Sequence, residues 1–356
     1  MSRILTILGA RPQFIKAAPV SRAIAALEGM QEVLVHTGQH FDPEMSQVFF
    51  DQMGIPRPAY NLNIHSLPHG AMTGQMLQAA EKVMMDEKPD WVMVYGDTNS
   101  TLAGALAARK LGIKVAHVEA GLRSFNMNMP EETNRILTDR ISNLLFCPTP
   151  VAVNNLLEEG YLNFPAEIIQ TGDVMYDASL LFSKKSIPPA SLQVPEKFVL
   201  ASIHRAENTD VAANLRDIVQ ALNQISQQLP VVIPVHPRTR KLLEADPQIT
   251  FHPRVILIPP VGYLEMIYLL QHCSMVLTDS GGLQKEAYFF EKPCVTMREQ
   301  TEWTELVDAG YNMVAGSNQH TILRAFAQMI ERNITFRKGL YGDGGASQII
   351  AESLKG

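Results

Sequence analysis

Short apolar runs alternate along this chain with longer stretches whose apolar residues recur at helical spacing. In the first half, residues 4–8, 33–35, 91–95, 114–118, 144–147 and 167–170 read as strands. Continuous apolar runs of this kind belong to strands buried on both faces of a parallel sheet. Helices are predicted at about 13–27, 43–53, 70–87 and 130–143, with others starting near 99 and 149. Residues 183–196 hold three prolines and little periodicity, which marks a crossing between domains. Strands then resume at 197–203, 231–235, 255–258, 275–278 and 293–296, with helices near 211–228, 237–244, 263–272, 281–290 and 318–331. Strand alternating with helix predicts an α/β protein of two Rossmann-like doubly wound domains, residues 1–182 and 183–356, with the alternative that the last helix packs back on the first.

Composition narrows the function. At 356 residues there is length for two cores, and 46% hydrophobic with 19% charged residues fits a compact soluble chain. A net charge of −6 argues against nucleic acid or an anionic membrane as partner, so any basic site must be local. The three cysteines, Cys147, Cys273 and Cys294, lack C-x-x-C spacing and read as reduced core thiols. No secretory signal or spanning segment is legible, and the cytoplasm is the expected location. The G-x-G-x-x-G and P-loop patterns are missing, as is H-E-x-x-H spacing. NAD, P-loop nucleotide and catalytic-metal readings therefore lose their main support.

The polar residues gather where strands end, the place at which open α/β sheets bind ligands. The first half supplies Arg11 and Lys16, then His36 and His40, Asp97, and Glu119 with Arg123; Glu131 opens the helix at 130. The second half supplies His204-Arg205, His236-Pro237-Arg238 and Asp279-Ser280-Gly281-Gly282. The last of these lies within VLTDSGGLQKEAYFFEKPCVTM, read as strand, turn, a helix from about Leu283, and a second strand. A Ser-Gly-Gly turn opening a helix leaves backbone N–H groups free at the positive end of the dipole, an anion site suited to phosphate. Glu286, one turn further, is placed to accept from sugar hydroxyls. The plainer alternatives are packing glycines at the turn, a helix cap at Asp97 and a dipole-compensating acid at Glu131. Acids with two cations in one half, and imidazoles with a glycine turn in the other, suit proton transfer beside a nucleotide diphosphate.

Seven blocks then occur in order over nearly the whole chain: LGARPQFIKAAPV, YGDTNSTLAGALAA, HVEAGLRS, MPEETNR, GDVMYDA, PVHPRT and LTDSGGLQKEA. Together they resemble the non-hydrolysing UDP-N-acetylglucosamine 2-epimerases. The resemblance implies a GT-B type fold with the site in the interdomain cleft. It also implies inversion at C2 of a UDP-linked 2-acetamido sugar with no cofactor and no metal. Matched by position, it makes Asp97, Glu119, Glu131, Lys16 and His204 catalytic. It makes Arg11, Arg123, Arg135, His236, Ser280, Gly281, Gly282 and Glu286 substrate-binding, with the diphosphate at the Ser-Gly-Gly turn and ribose at Glu286. One acid would take the C2 proton as UDP departs, and the resulting glucal would be re-protonated on its other face as UDP returns. A homodimer and a role in surface-polysaccharide, including lipopolysaccharide, precursor synthesis are implied too.

HTGQHFD, RSFNMNMPEE, HRAENTD and EQTEW look closer to the UDP-2,3-diacetamido-2,3-dideoxyglucuronate 2-epimerases, and Arg123 is a candidate for the extra carboxylate of that substrate. The family's Q-H-R-x-M-L activator segment becomes Gln39 to Met45, without the arginine, and G-T-R-P-E becomes Gly9-Ala10-Arg11-Pro12-Gln13. Two other classes remain: a glycosyltransferase using a UDP-sugar donor, and a UDP-sugar sensor without turnover. The first would transfer sugar to an acceptor, and the second would tolerate Asp97→Asn.

Overall fold

The computed structural model describes residues 2–39, 50–51 and 53–355. The helix expected at 43–53 falls almost wholly outside them, as do His40 and the rest of the activator segment. Contacts divide the chain into two units. One runs to Leu180 and takes back the segment from Lys338 onward; the other is Leu181–Arg337.

The first unit carries β1 (Ser2–Leu8), β2 (Met30–His36), β3 (Tyr60–Asn61), β4 (Trp91–Tyr95), β5 (Lys114–Val118), β6 (Leu144–Cys147) and β7 (Glu167–Gln170). They form one parallel sheet in the order β3-β2-β1-β4-β5-β6-β7. All five residues of β4 are buried, as a strand covered on both faces requires. Leu5, Val33, Val92 and Val115 from four neighbouring strands meet Ala105 and Ala108 of helix Asn99–Lys110 on one side. On the other side, helix Arg11–Ala26 packs against the C-terminal helix Ala346–Ser353. Asp177 anchors the latter by accepting Ser347 N–H at 2.8 Å and its hydroxyl at 2.6 Å.

The second unit carries β8 (Val199–Ser202), β9 (Val231–Pro234), β10 (Val255–Ile258), β11 (Met275–Thr278), β12 (Cys294–Thr296) and β13 (Asn312–Val314). Its sheet is parallel in the order β10-β9-β8-β11-β12-β13. Leu277 is fully buried among Ala201, Val295 and Phe326, so Leu277→Ala would cost about 2–5 kcal/mol. Two strands went unpredicted, β3 and β13. Both lie at sheet edges and span two or three residues, too short for a period to register. The helix of the Ser-Gly-Gly turn runs Gly281–Phe289, close to the expected range 281–290, and Ser280 caps it.

In each sheet the strand order reverses once beside the first strand, at β1/β4 and at β8/β11. Chains leaving the two strands there diverge and open a crevice above their carboxyl ends. Arg11, Lys16 and Asp97 follow the strands of the first switch point, and His204 and Ser280 those of the second.

Candidate functional site

In the first unit, the loop after β1 meets the loop after β4 through an amide the sequence reading passed over. Gln13, 3% exposed, accepts from Gly9 N–H at 2.7 Å and Ala10 N–H at 3.0 Å, and donates to Tyr95 O at 2.7 Å. It also lies within reach of the Thr98 and Thr101 hydroxyls. Arg11 opens the helix that follows, half-buried, with Lys16 one turn further along. Thr98, and not Asp97, caps helix Asn99–Lys110. Asp97 is thereby left to other work. Arg135 donates to its Oδ2 from two nitrogens, while Oδ1 has no protein partner among the described residues.

Glu119 follows β5 with φ +69°, a left-handed conformation that a glutamate adopts only under local constraint. It is 5% exposed and ion-paired with Lys16. Gly96, at φ +62°, lies under the Glu119 carboxylate, so the two acids occupy adjoining turns. Glu131 is exposed in the first turn of helix Pro130–Ile141 and has no partner among the described residues. The next residue, Glu132, is buried and was not predicted. It accepts from Ser124 N–H, the Ser124 hydroxyl and Phe125 N–H, all at 2.9 Å, and from Arg135 at 2.9 Å. Burial works to raise its carboxyl, but those hydrogen bonds from Ser124, Arg135 and Phe125 outweigh it and hold the group below its usual range. Phe125, at φ +56°, and Met127 stand exposed on the loop so fixed.

Arg123 is a correction. Expected to face substrate, its side chain is 1% exposed and spent on Asp139, Glu159 and the Leu122 carbonyl. It holds helix ends together and offers nothing to a ligand. The R of HVEAGLR cannot reveal this, because the partners come from residues 16 and 36 positions away.

In the second unit, Asp279 is the organising residue. Fully buried, it accepts from His204 N–H and Arg205 N–H at 3.0 Å, from the Asn208 amide at 3.1 Å, and sits 2.9 Å from His204 Nδ1. Burial pushes its carboxyl up, yet the bonds and charge of His204 and the backbone donors bring it below the ordinary range. His204 is therefore held by one ring nitrogen while its side chain stays 48% exposed. The Asp of TDSGG was the available signal.

Ser280 Oγ takes Leu283 N–H at 3.5 Å, and Gly281 and Gly282 form the first helical turn. A Cβ on Gly281 would collide with the Glu302 carboxylate, whereas one on Gly282 would meet open space. A side chain at 281 would thus have to displace the Glu302 carboxylate, and Gly282 leaves the helix start bare. Glu302, another residue not singled out, is paired to Arg298 at 3.1 Å. Glu286 is buried in the second turn of the same helix. His236 is exposed and caps helix Pro237–Ala245, its Nδ1 accepting Arg238 N–H at 3.3 Å.

The first unit therefore offers two carboxylates in adjoining turns, each with a cation, able to take and return a proton. The second offers a helix N-terminus beside a half-exposed imidazole, able to hold an anion. Among the described residues no group of acids, cysteines and histidines has metal-site geometry, and no helix is long and apolar enough to cross a membrane.

Residues 22–355 match the family model described as UDP-N-acetylglucosamine 2-epimerase. The chain is 55% identical over 353 residues to the UDP-2,3-diacetamido-2,3-dideoxy-D-glucuronate 2-epimerase of Pseudomonas aeruginosa, covering 99% of both. It is 43% identical over 368 residues to a UDP-N-acetylglucosamine 2-epimerase of Methanococcus maripaludis, covering 100% of this chain and 99% of that one. The crystal structure of the Methanocaldococcus jannaschii UDP-GlcNAc 2-epimerase in complex with UDP-GlcNAc and UDP superposes with a TM-score of 0.87 at 39% identity, over 99% of each chain.

Proposed function

Because the chain belongs to the UDP-N-acetylglucosamine 2-epimerase family, we propose that it inverts C2 of a UDP-linked 2-acetamido sugar, and that its substrate is the 2,3-diacetamido uronate rather than UDP-N-acetylglucosamine. The observation that carries the choice of sugar is the 55% identity, end to end, with the Pseudomonas enzyme of that specificity. The family is one of carbohydrate isomerases with a GT-B type fold, and a glycosyltransferase activity is not favoured.

The reaction balances with the groups at hand. One carboxylate of the pair Asp97 and Glu119 removes the C2 proton while the C1–O bond to UDP breaks, leaving a C1=C2 glucal and UDP. A proton then returns to the opposite face of C2 as a diphosphate oxygen reattaches at C1. A C2 proton has no adjacent carbonyl to acidify it, so its loss must be coupled to departure of a well-stabilised anion. His204 and the first turn of helix Gly281–Phe289 are the groups assigned to that anion, with Glu286 assigned to the ribose and Arg11 and His236 as further substrate-binding groups. Lys16 and Arg135 orient the acids, and Glu131 is held as the third acid. The first unit moves the proton and the second keeps the nucleotide. A homodimer working in the cytoplasm on surface-polysaccharide precursors completes the proposal.

The test is turnover of both UDP-sugars in D2O. Deuterium at C2 of both epimers, with the diacetamido uronate turned over faster, is the expected result. Retention of all C2 protium would overturn the elimination, and faster turnover of UDP-N-acetylglucosamine would overturn the choice of sugar.

A further inference from the structure

His117 is wholly buried at the penultimate position of β5, two residues before Glu119. Its Nε2 lies 2.7 Å from Gly96 O and its Nδ1 2.6 Å from Asp139 Oδ1. A carbonyl oxygen only accepts, so Nε2 carries a hydrogen and donates it to the turn that holds Asp97. The other Asp139 oxygen accepts Gly121 N–H at 3.1 Å, within the turn that holds Glu119. It also accepts from Arg123 at 2.7 Å, and Arg123 runs on to Glu159. His117, Asp139 and Arg123 thus form one buried chain that runs out to Glu159 at the surface, hydrogen-bonded at each link.

This chain ends on two neighbouring turns of left-handed backbone, with Gly96, Glu119 and Gly121 at φ of +62°, +69° and +78°. The glycines adopt it freely, but Glu119 holds it only where surrounding contacts over-determine it. Gly96 N–H bonds to Val118 O at 2.9 Å and Ala120 N–H to Phe146 O at 3.0 Å, which ties the turns to the strands but leaves their direction to the side chains. The His117–Asp139 pair reaches both turns by side-chain hydrogen bonds.

We infer that His117 is a positioning residue for the epimerisation: through Gly96 O and Asp139 it sets the spacing of Asp97 and Glu119 without touching substrate. This rests on the proton-transfer roles proposed above. A misplacement of about 1 Å in a catalytic group is worth about 10²-fold in rate. A loss of that size should therefore appear in kcat, with KM and UDP affinity unchanged because the nucleotide groups lie elsewhere in the sequence.

The experiment compares wild type with His117→Ala, His117→Gln and Asp139→Asn. It measures kcat and KM for the UDP-sugar, UDP affinity, thermal melting, and amide hydrogen exchange across residues 95–99 and 119–122. We expect kcat of His117→Ala to fall about 10²-fold with KM and UDP affinity kept. His117→Gln, which retains a donor at the place of Nε2, recovers part of the loss. Faster exchange should be confined to the two turns. Unchanged kcat and exchange in a folded His117→Ala would overturn the inference, as would exchange rising across the whole first unit. Should wild type turn over neither sugar, the epimerase assignment fails while the exchange pattern still decides the positioning role.

Discussion

Arg135 donates to one oxygen of Asp97 at 2.6 and 3.0 Å and reaches Glu132 with a third N–H at 2.9 Å. One guanidinium thus ties a candidate catalytic acid to the carboxylate that shapes the neighbouring loop. Lysine keeps the charge and loses the fork. Arg135→Lys should lower kcat about 10- to 100-fold, as a shift of Asp97 would, with a smaller change in UDP affinity. Steady-state kinetics with UDP titration check this.

Glu119 and Lys16 form the second acid–cation pair of the first unit. Glu119→Gln removes the proton acceptor and keeps the shape. Exchange of the C2 hydrogen with D2O should slow by about 10²–10⁴-fold, the usual worth of a general acid–base group, while UDP still binds. NMR of the recovered UDP-sugar reads it directly.

Gly281→Ala would drive a Cβ into Glu302 beside the helix start. The displaced Glu302 carboxylate disturbs the groups beside the anion site, and UDP affinity should drop about tenfold, roughly the worth of one hydrogen bond to a charged group. Gly282→Ala, facing open space, should do less harm in the same titration.

Arg123 is predicted to matter for stability and not for choice of sugar. Arg123→Met leaves Asp139 buried without one of its cations, a change that costs about 3–5 kcal/mol. The melting temperature of the variant should fall clearly, and its ratio of turnover between the two candidate sugars should stay that of wild type.

Glu32 gives a pH dependence. Burial raises its carboxyl above the ordinary 4.5, against the Thr6 hydroxyl that donates to it at 2.6 Å and the nearby Ser21 hydroxyl, which lower it. The folded chain then holds this proton more tightly than the unfolded one. Its contribution is neutral in acid and destabilising once pH climbs above 4.5 and through the raised value. Glu32→Gln should raise the melting temperature at neutral pH and leave it unchanged in acid, as melts across pH 4–8 would show.

Much of this was legible in the order of residues. Continuous apolar runs gave the strands, and their polar ends marked Asp97, Glu119 and the Ser-Gly-Gly turn before any coordinates. What escaped was each residue whose role depends on a distant partner. Gln13 reaches Tyr95, Glu132 folds back on Ser124, and Arg123 turns inward to Glu159. In each case the side chain looked like one more polar residue at a loop. Burial, which a single sequence does not record, decided whether it met a ligand or a neighbour. The edge strands β3 and β13 escaped for a simpler reason, being too short for an alternating pattern to repeat.

The return of the last helix to the first unit has a bearing on synthesis. Residues 181–337 are contiguous and can close as soon as they emerge, but the amino-terminal half waits for Ala346–Ser353, which is made after them. The unit begun first closes second. A chain truncated before Ala346 would therefore reveal itself by exposed apolar surface on helix Arg11–Ala26, more than three hundred residues upstream of the cut.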